Sequence, residues 1–102
     1  MNILKKKFKR SGFNHVQVKR AGRVAMYERT PVKGTRKFYE VIKIGRHNGY
    51  YACNQYIEAA ETYPGASLWG IAGWTCNTIE IAEKKFKSVC KRANKRKKLA
   101  YA

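Results

Sequence analysis

In Cys76-Asn77-Thr78-Ile79-Glu80-Ile81-Ala82-Glu83-Lys84-Lys85-Phe86-Lys87-Ser88-Val89-Cys90-Lys91-Arg92-Ala93 an apolar stripe recurs at helical spacing. Ile79, Ala82, Phe86, Val89, Cys90 and Ala93 share one side of a 3.6-residue period. Asn77 is the predicted N-cap, with Glu80 three residues on as the returning carboxylate of a capping box. Glu80 and Glu83 sit at the positive end of the macrodipole, and Lys91, Arg92, Lys95, Arg96, Lys97 and Lys98 crowd the negative end. A helix from 78 to about 94 is therefore expected, and its continuation to Lys98 would carry a basic last turn beyond whatever it covers.

The residues upstream supply the surface that such a stripe must cover. From Ser11 the period shortens to two: His15-Val16-Gln17-Val18-Lys19-Arg20 alternates, with Val16 and Val18 expected inward. Ala21-Gly22 breaks the run before Arg23 to Arg29 resumes it, so a hairpin is predicted, with Gly22 left-handed after a type I turn. Arg36 to Arg46 reads as a third strand whose alternation fails at Glu40, from an edge position or from a bulge. Asn48-Gly49 suits a type I′ turn into a fourth strand, Tyr50 to Cys53. Gln55 to Thr62 is expected as a short helical turn, and Leu68 to Thr75 as a last strand leading into the helix. The expected fold is α+β: an antiparallel four- or five-stranded meander packed on one C-terminal α-helix. Residues 1–10, with Ile3, Leu4 and Phe8 among basic neighbours, form a short amphipathic helix or a mobile arm; 11–94 form the single domain; 95–102 form a basic tail or helix extension.

Charge is the outlying property of the 102 residues: 23 Lys and Arg against 6 acids give a formal +17. Residues 1–46 carry a net +12, residues 47–83 hold no Lys or Arg and carry −4, and residues 84–102 carry +9. Both ends are thus suited to a polyanion, through phosphate neutralisation and counterion release. Three cysteines without a C-x2-C pair fit free thiols in a reducing compartment. No apolar run approaches a membrane span and the N-terminus lacks the apolar core of a signal peptide, so a cytoplasmic protein with no membrane partner is expected.

Candidate nucleic-acid contacts follow from residue type. Lys5, Lys6, Lys7, Lys9 and Arg10 are at the N-terminus; Gln17, Lys19, Arg20 and Arg23 are on the hairpin; Arg36, Lys37, Lys43 and Arg46 are on the third strand. Lys91, Arg92, Lys95, Arg96, Lys97 and Lys98 make the basic helix end. Tyr27 and Tyr39, lying among basic strands, are candidate base stackers. Tyr56, Tyr63, Trp69 and Trp74 fall in the segment free of Lys and Arg and are candidates for a core or for a dry protein-binding patch. Cys53, Cys76, Cys90, His15 and His47 lack zinc-site spacing, and neither histidine has a catalytic motif around it. No metal, cofactor or enzymatic activity is expected.

Two resemblances add to this. The Cys76-Asn77-Thr78-Ile79-Glu80-Ile81-Ala82 junction resembles the strand-to-helix joint of plant ethylene-response-factor type DNA-binding domains, which carry an Asp-Thr-x-Glu-x-Ala pattern there. That resemblance implies a three-stranded sheet laid in a major groove with a helix behind it. The chain as a whole, with Tyr63-Pro64-Gly65, Trp69-Gly70 and Gly73-Trp74-Thr75 before the helix, resembles the short, basic, single-domain proteins of tailed bacteriophages. That implies a host-directed role in the host cytoplasm. The expected function is non-enzymatic binding of DNA or RNA; the alternative is docking on a host enzyme or ribonucleoprotein through the aromatic segment 50–76.

Overall fold

The computed structural model describes the backbone of residues 1–101 and the side chains of residues 1–93. In chain order the elements are β1 (Lys7–Arg10), β2 (Phe13–Ala21), β3 (Val24–Pro31), β4 (Phe38–Lys43), β5 (Gly45–His47), β6 (Tyr50–Ala52), β7 (Gln55–Ile57), β8 (Ala60–Thr62), β9 (Gly73–Cys76) and α1 (Ile79–Tyr101). Five of the strands form one antiparallel sheet in the order β1-β2-β3-β4-β9, with α1 packed on β3, β4 and β9. The α+β architecture is the one the sequence predicts.

The turns explain the register. Ser11 (φ 52°) and Gly12 (φ 80°) both take positive φ between Arg10 and Phe13, as a type I′ turn requires. Gly22 takes positive φ as expected (φ 61°), but it occupies the first of two loop positions between Ala21 and Val24. That is the φ pattern of a type II′ turn, rather than of a type I turn followed by glycine.

The sheet is covered on both faces. On the helix side Val24, Met26, Val41 and Cys76 meet Ala82, Phe86 and Val89, the stripe read from the sequence. On the opposite side Ala25, Tyr27, Ile42 and Ile44 are closed over by Leu4, Phe8, Tyr63 and Trp69. This second layer was not expected. Its formation explains residues 1–10: Leu4 and Phe8 lie on the sheet, Lys7–Arg10 pairs as an edge strand, and Asn2 exchanges backbone hydrogen bonds with Ala59 and Glu61. The N-terminus is neither a helix nor a free arm.

Val16 and Val18 point outward, 40% and 44% exposed, because His15 takes the inward position on β2. Val16 faces the helix side beyond the helix's reach, and Val18 is the extra residue of a bulge between Gln17 and Lys19. Glu40 lies neither at an edge nor at a bulge. It is in a continuous register between β3 and β9, 4% exposed, on the face away from the helix.

Asn48-Gly49 does not make the predicted turn. Chain reversal comes at Cys53 (φ 49°) and Asn54 (φ 62°), and β5–β8 and β6–β7 pair in one shared register. Residues 45–62 are therefore a single long hairpin arm whose ladder lapses at 48–49 and 58–59, and Gln55 to Thr62 is strand instead of a helical turn. Tyr56 fills the space above Gly49, where an added Cβ would collide with its hydroxyl. Ala66–Leu68 is a 3-10 turn and residues 69–72 are a loop, so the last strand is confined to Gly73–Cys76. Helix α1 is capped by Thr78, whose Oγ1 accepts the Ile81 N–H at 3.3 Å, one residue later than Asn77. Glu80 then falls at the second helical position, too early for a capping box but still favourable to the dipole.

Candidate nucleic-acid interface

The expected basic face of hairpin and third strand is divided between the two sides of the sheet. Register puts Lys19 and Lys43 on the helix side, and Gln17 and Arg20 on the opposite one. Several of these groups are occupied internally. The Arg20 guanidinium grips Glu61 through two bonds of 2.7 and 2.6 Å, and the Leu4 N–H adds a third at 3.0 Å. Together they hold the Glu61 carboxyl down to about 2. Gln17 donates to the Tyr27 hydroxyl at 3.1 Å, Lys19 pairs with Glu83 and lies over Phe86, and Lys37 reaches Glu28 at 3.5 Å. Lys43 and Lys85 flank the Trp74 ring, 5.9 and 4.4 Å from its centroid.

Other cations stay outside such pairs among the described residues. Lys7 and Lys9 project from β1 on the helix side, opposite the exposed Val16 and the half-buried Asn14. Lys84, Lys87, Lys91 and Arg92 are exposed on α1, which lies on that same side. Lys5, Lys6 and Arg23 are exposed as well, and so is Arg46 at the root of the hairpin arm. Lys95, Arg96, Lys97 and Lys98 lie outside the residues whose side chains are described.

A second cluster forms at the end of the sheet, where the β1–β2 turn meets the loop after β3 (Val32 N–H to Gly12 O, 3.0 Å). Three guanidinium–ring pairs gather there: Arg10 over Tyr63 at 5.5 Å, Arg29 over Phe13 at 3.7 Å and Arg36 over Phe38 at 4.8 Å. Behind them lies a buried polar centre. Glu40 Oε1 accepts from His15 Nε2–H at 3.1 Å and from the Tyr63 hydroxyl at 2.5 Å, and Oε2 accepts from Arg29 at 3.1 Å. Burial, then the Glu40 charge, pushes the Tyr63 phenol far above its ordinary value, so it remains a neutral donor. Next to this centre opens a cleft of about 390 Å³. Arg10 and Arg36 were read from the sequence; Phe13, Arg29 and Phe38 were missed, although Arg and Phe at Phe13, Arg29, Arg36 and Phe38 flank the two connections that build the cluster.

The aromatics divide differently from the expectation. Tyr27 is wholly buried and has no face for a base; its hydroxyl donates to the Lys5 carbonyl at 2.8 Å. Tyr39 packs against the helix-side core, so it is not a free stacking platform. Of the protein-binding candidates, Tyr63 and Trp69 cover the sheet and Trp74 packs beside the helix-side core. Tyr56 alone among them is exposed (57%), on the arm beside Tyr50 and Tyr51. Cys53 is exposed, and burial raises the pKa of Cys76 and Cys90, so their thiols stay protonated. Among the described residues no cluster of three His, Cys, Asp or Glu side chains could hold a metal, and no helix is long and apolar enough to cross a membrane. No protein-family model, curated protein or solved structure matches the chain.

Proposed function

We propose that the protein binds nucleic acid without catalysing a reaction on it, using lysines from both ends of the chain for phosphates and the arginine–ring cluster for the adjoining strand. The observation that carries this is the common side taken by Lys7 and Lys9 of the edge strand and by Lys84, Lys87 and Lys91 of the helix. Four of the carboxylates are already committed, to Lys19, Arg20, Arg29, Lys37 and His15. The positive field on that side is therefore left for an external anion. Mobility shift of labelled duplex and single-stranded oligonucleotides tests the reading: affinity should fall by orders of magnitude between about 50 and 200 mM salt. Absence of a shift at about 50 mM salt overturns it.

A protein-docking reading has one observation of its own. The arm carries Tyr50, Tyr51 and Tyr56 at 49%, 79% and 57% exposure around an uncharged tip, the composition of a protein-binding anchor. It predicts a complex with a purified host enzyme or ribonucleoprotein that survives nuclease and is lost in Tyr51→Ala.

A further inference from the structure

On the nucleic-acid reading, we infer that the cleft beside Glu40 receives one nucleotide of a bound single strand, base inward between aromatic walls and phosphate at the arginines. Its volume, about 390 Å³, falls in the range of small-molecule sites. Phe13, Tyr63 and Trp69 stand in its walls with Arg10 and Arg29, whose guanidiniums lie over the Tyr63 and Phe13 rings, and of the two only Arg29 is paired with Glu40. Rings and guanidiniums together are what an unstacked base with its phosphate requires.

The inner wall carries one unused hydrogen-bonding position. Glu40 Oε1 accepts two bonds and Oε2 only one, so an acceptor position remains for an amino or imino N–H of a base. His15 is 4% exposed and lines the cleft with its ring stacked on Phe8, so it acts as wall and leaves the polar contact to Glu40. Continuity with the phosphate-binding side is supplied by β1 itself. Lys7 and Lys9 face the helix side and Arg10 the cleft side, so a strand crossing the β1–β2 turn passes from one to the other.

The full chain is titrated by calorimetry with AMP, GMP, CMP and UMP, and with inorganic phosphate. Saturable binding of at least one mononucleotide is expected, at least about tenfold tighter than phosphate. Ala66 is exposed and lines the cleft, away from the core. Ala66→Phe should fill the cleft and weaken mononucleotide binding by at least about tenfold while leaving the thermal midpoint near that of the parent. Arg10→Ala should weaken it similarly. No saturable binding to about 10 mM, phosphate binding as tightly as every nucleotide, or indifference to both substitutions each overturns the inference. Failure of the parent chain to shift any oligonucleotide at low salt, with mononucleotide binding intact, overturns the broader reading and leaves the cleft site standing.

Discussion

At Glu40 a carboxylate of 4% exposure accepts from an imidazole, a guanidinium and a phenol that come from β2, β3 and the segment after β8. Such a group is tolerated inside only while its donors are in place. Tyr63→Phe removes the 2.5 Å bond without changing the ring's packing, and should lower stability by about 1–3 kcal/mol in urea denaturation. A loss below about 0.5 kcal/mol would mean that water replaces the phenol. The sequence marks Glu40 as an irregularity in an otherwise apolar run and can go no further. Its partners stand 25, 11 and 23 positions away, and periodicity reports only on near neighbours. The same limit hid Tyr27, a tyrosine among basic residues whose burial depends on a second layer built from the N-terminus and Tyr63.

Among the elements, α1 was legible because its stripe is local: six apolar positions are enough to orient the rod before its partner is known. Phe86 is 8% exposed in the helix-side cluster, so Phe86→Ala should cost about 3–5 kcal/mol; a change under about 1 kcal/mol would mean the cluster collapses onto the gap. The hairpin arm was misread because Asn48-Gly49 is a stronger local turn signal than Cys53-Asn54, and strand pairing over 45–62 overrode it. Glu61 fastens the base of the arm to β2 through Arg20 and to the N-terminus through the Leu4 N–H. Its pKa is depressed from 4.5 to about 2, so the stability it lends is fully present above the ordinary value and drains away as pH falls toward about 2. Acid unfolding should therefore be shallower over that interval in Glu61→Gln than in the parent, and identical profiles would mean that the pair is absent in solution.

For the whole molecule, amounts of charge were legible and their sides were not. A bulge between Gln17 and Lys19 and a second covering layer decided which cations share an exterior, and neither leaves a mark in composition. Neutralising Lys7 and Lys9 to Gln should reduce the slope of log affinity against log salt by about 2 on duplex DNA, with the fold retained by circular dichroism. An unchanged slope would move the phosphate track elsewhere on the surface. The same lysines bear on a different hazard. Strand β1 is an outermost member of the sheet, so its far side offers backbone donors and acceptors with no neighbouring strand among the described residues. Four lysines and an arginine within residues 5–10 make that rim repellent to a second copy of itself, the usual protection of a bare border against stacking into fibrils. Polyanions that cancel those charges would also disarm the guard, so crowded, low-salt mixtures with nucleic acid are where self-association of this chain should begin.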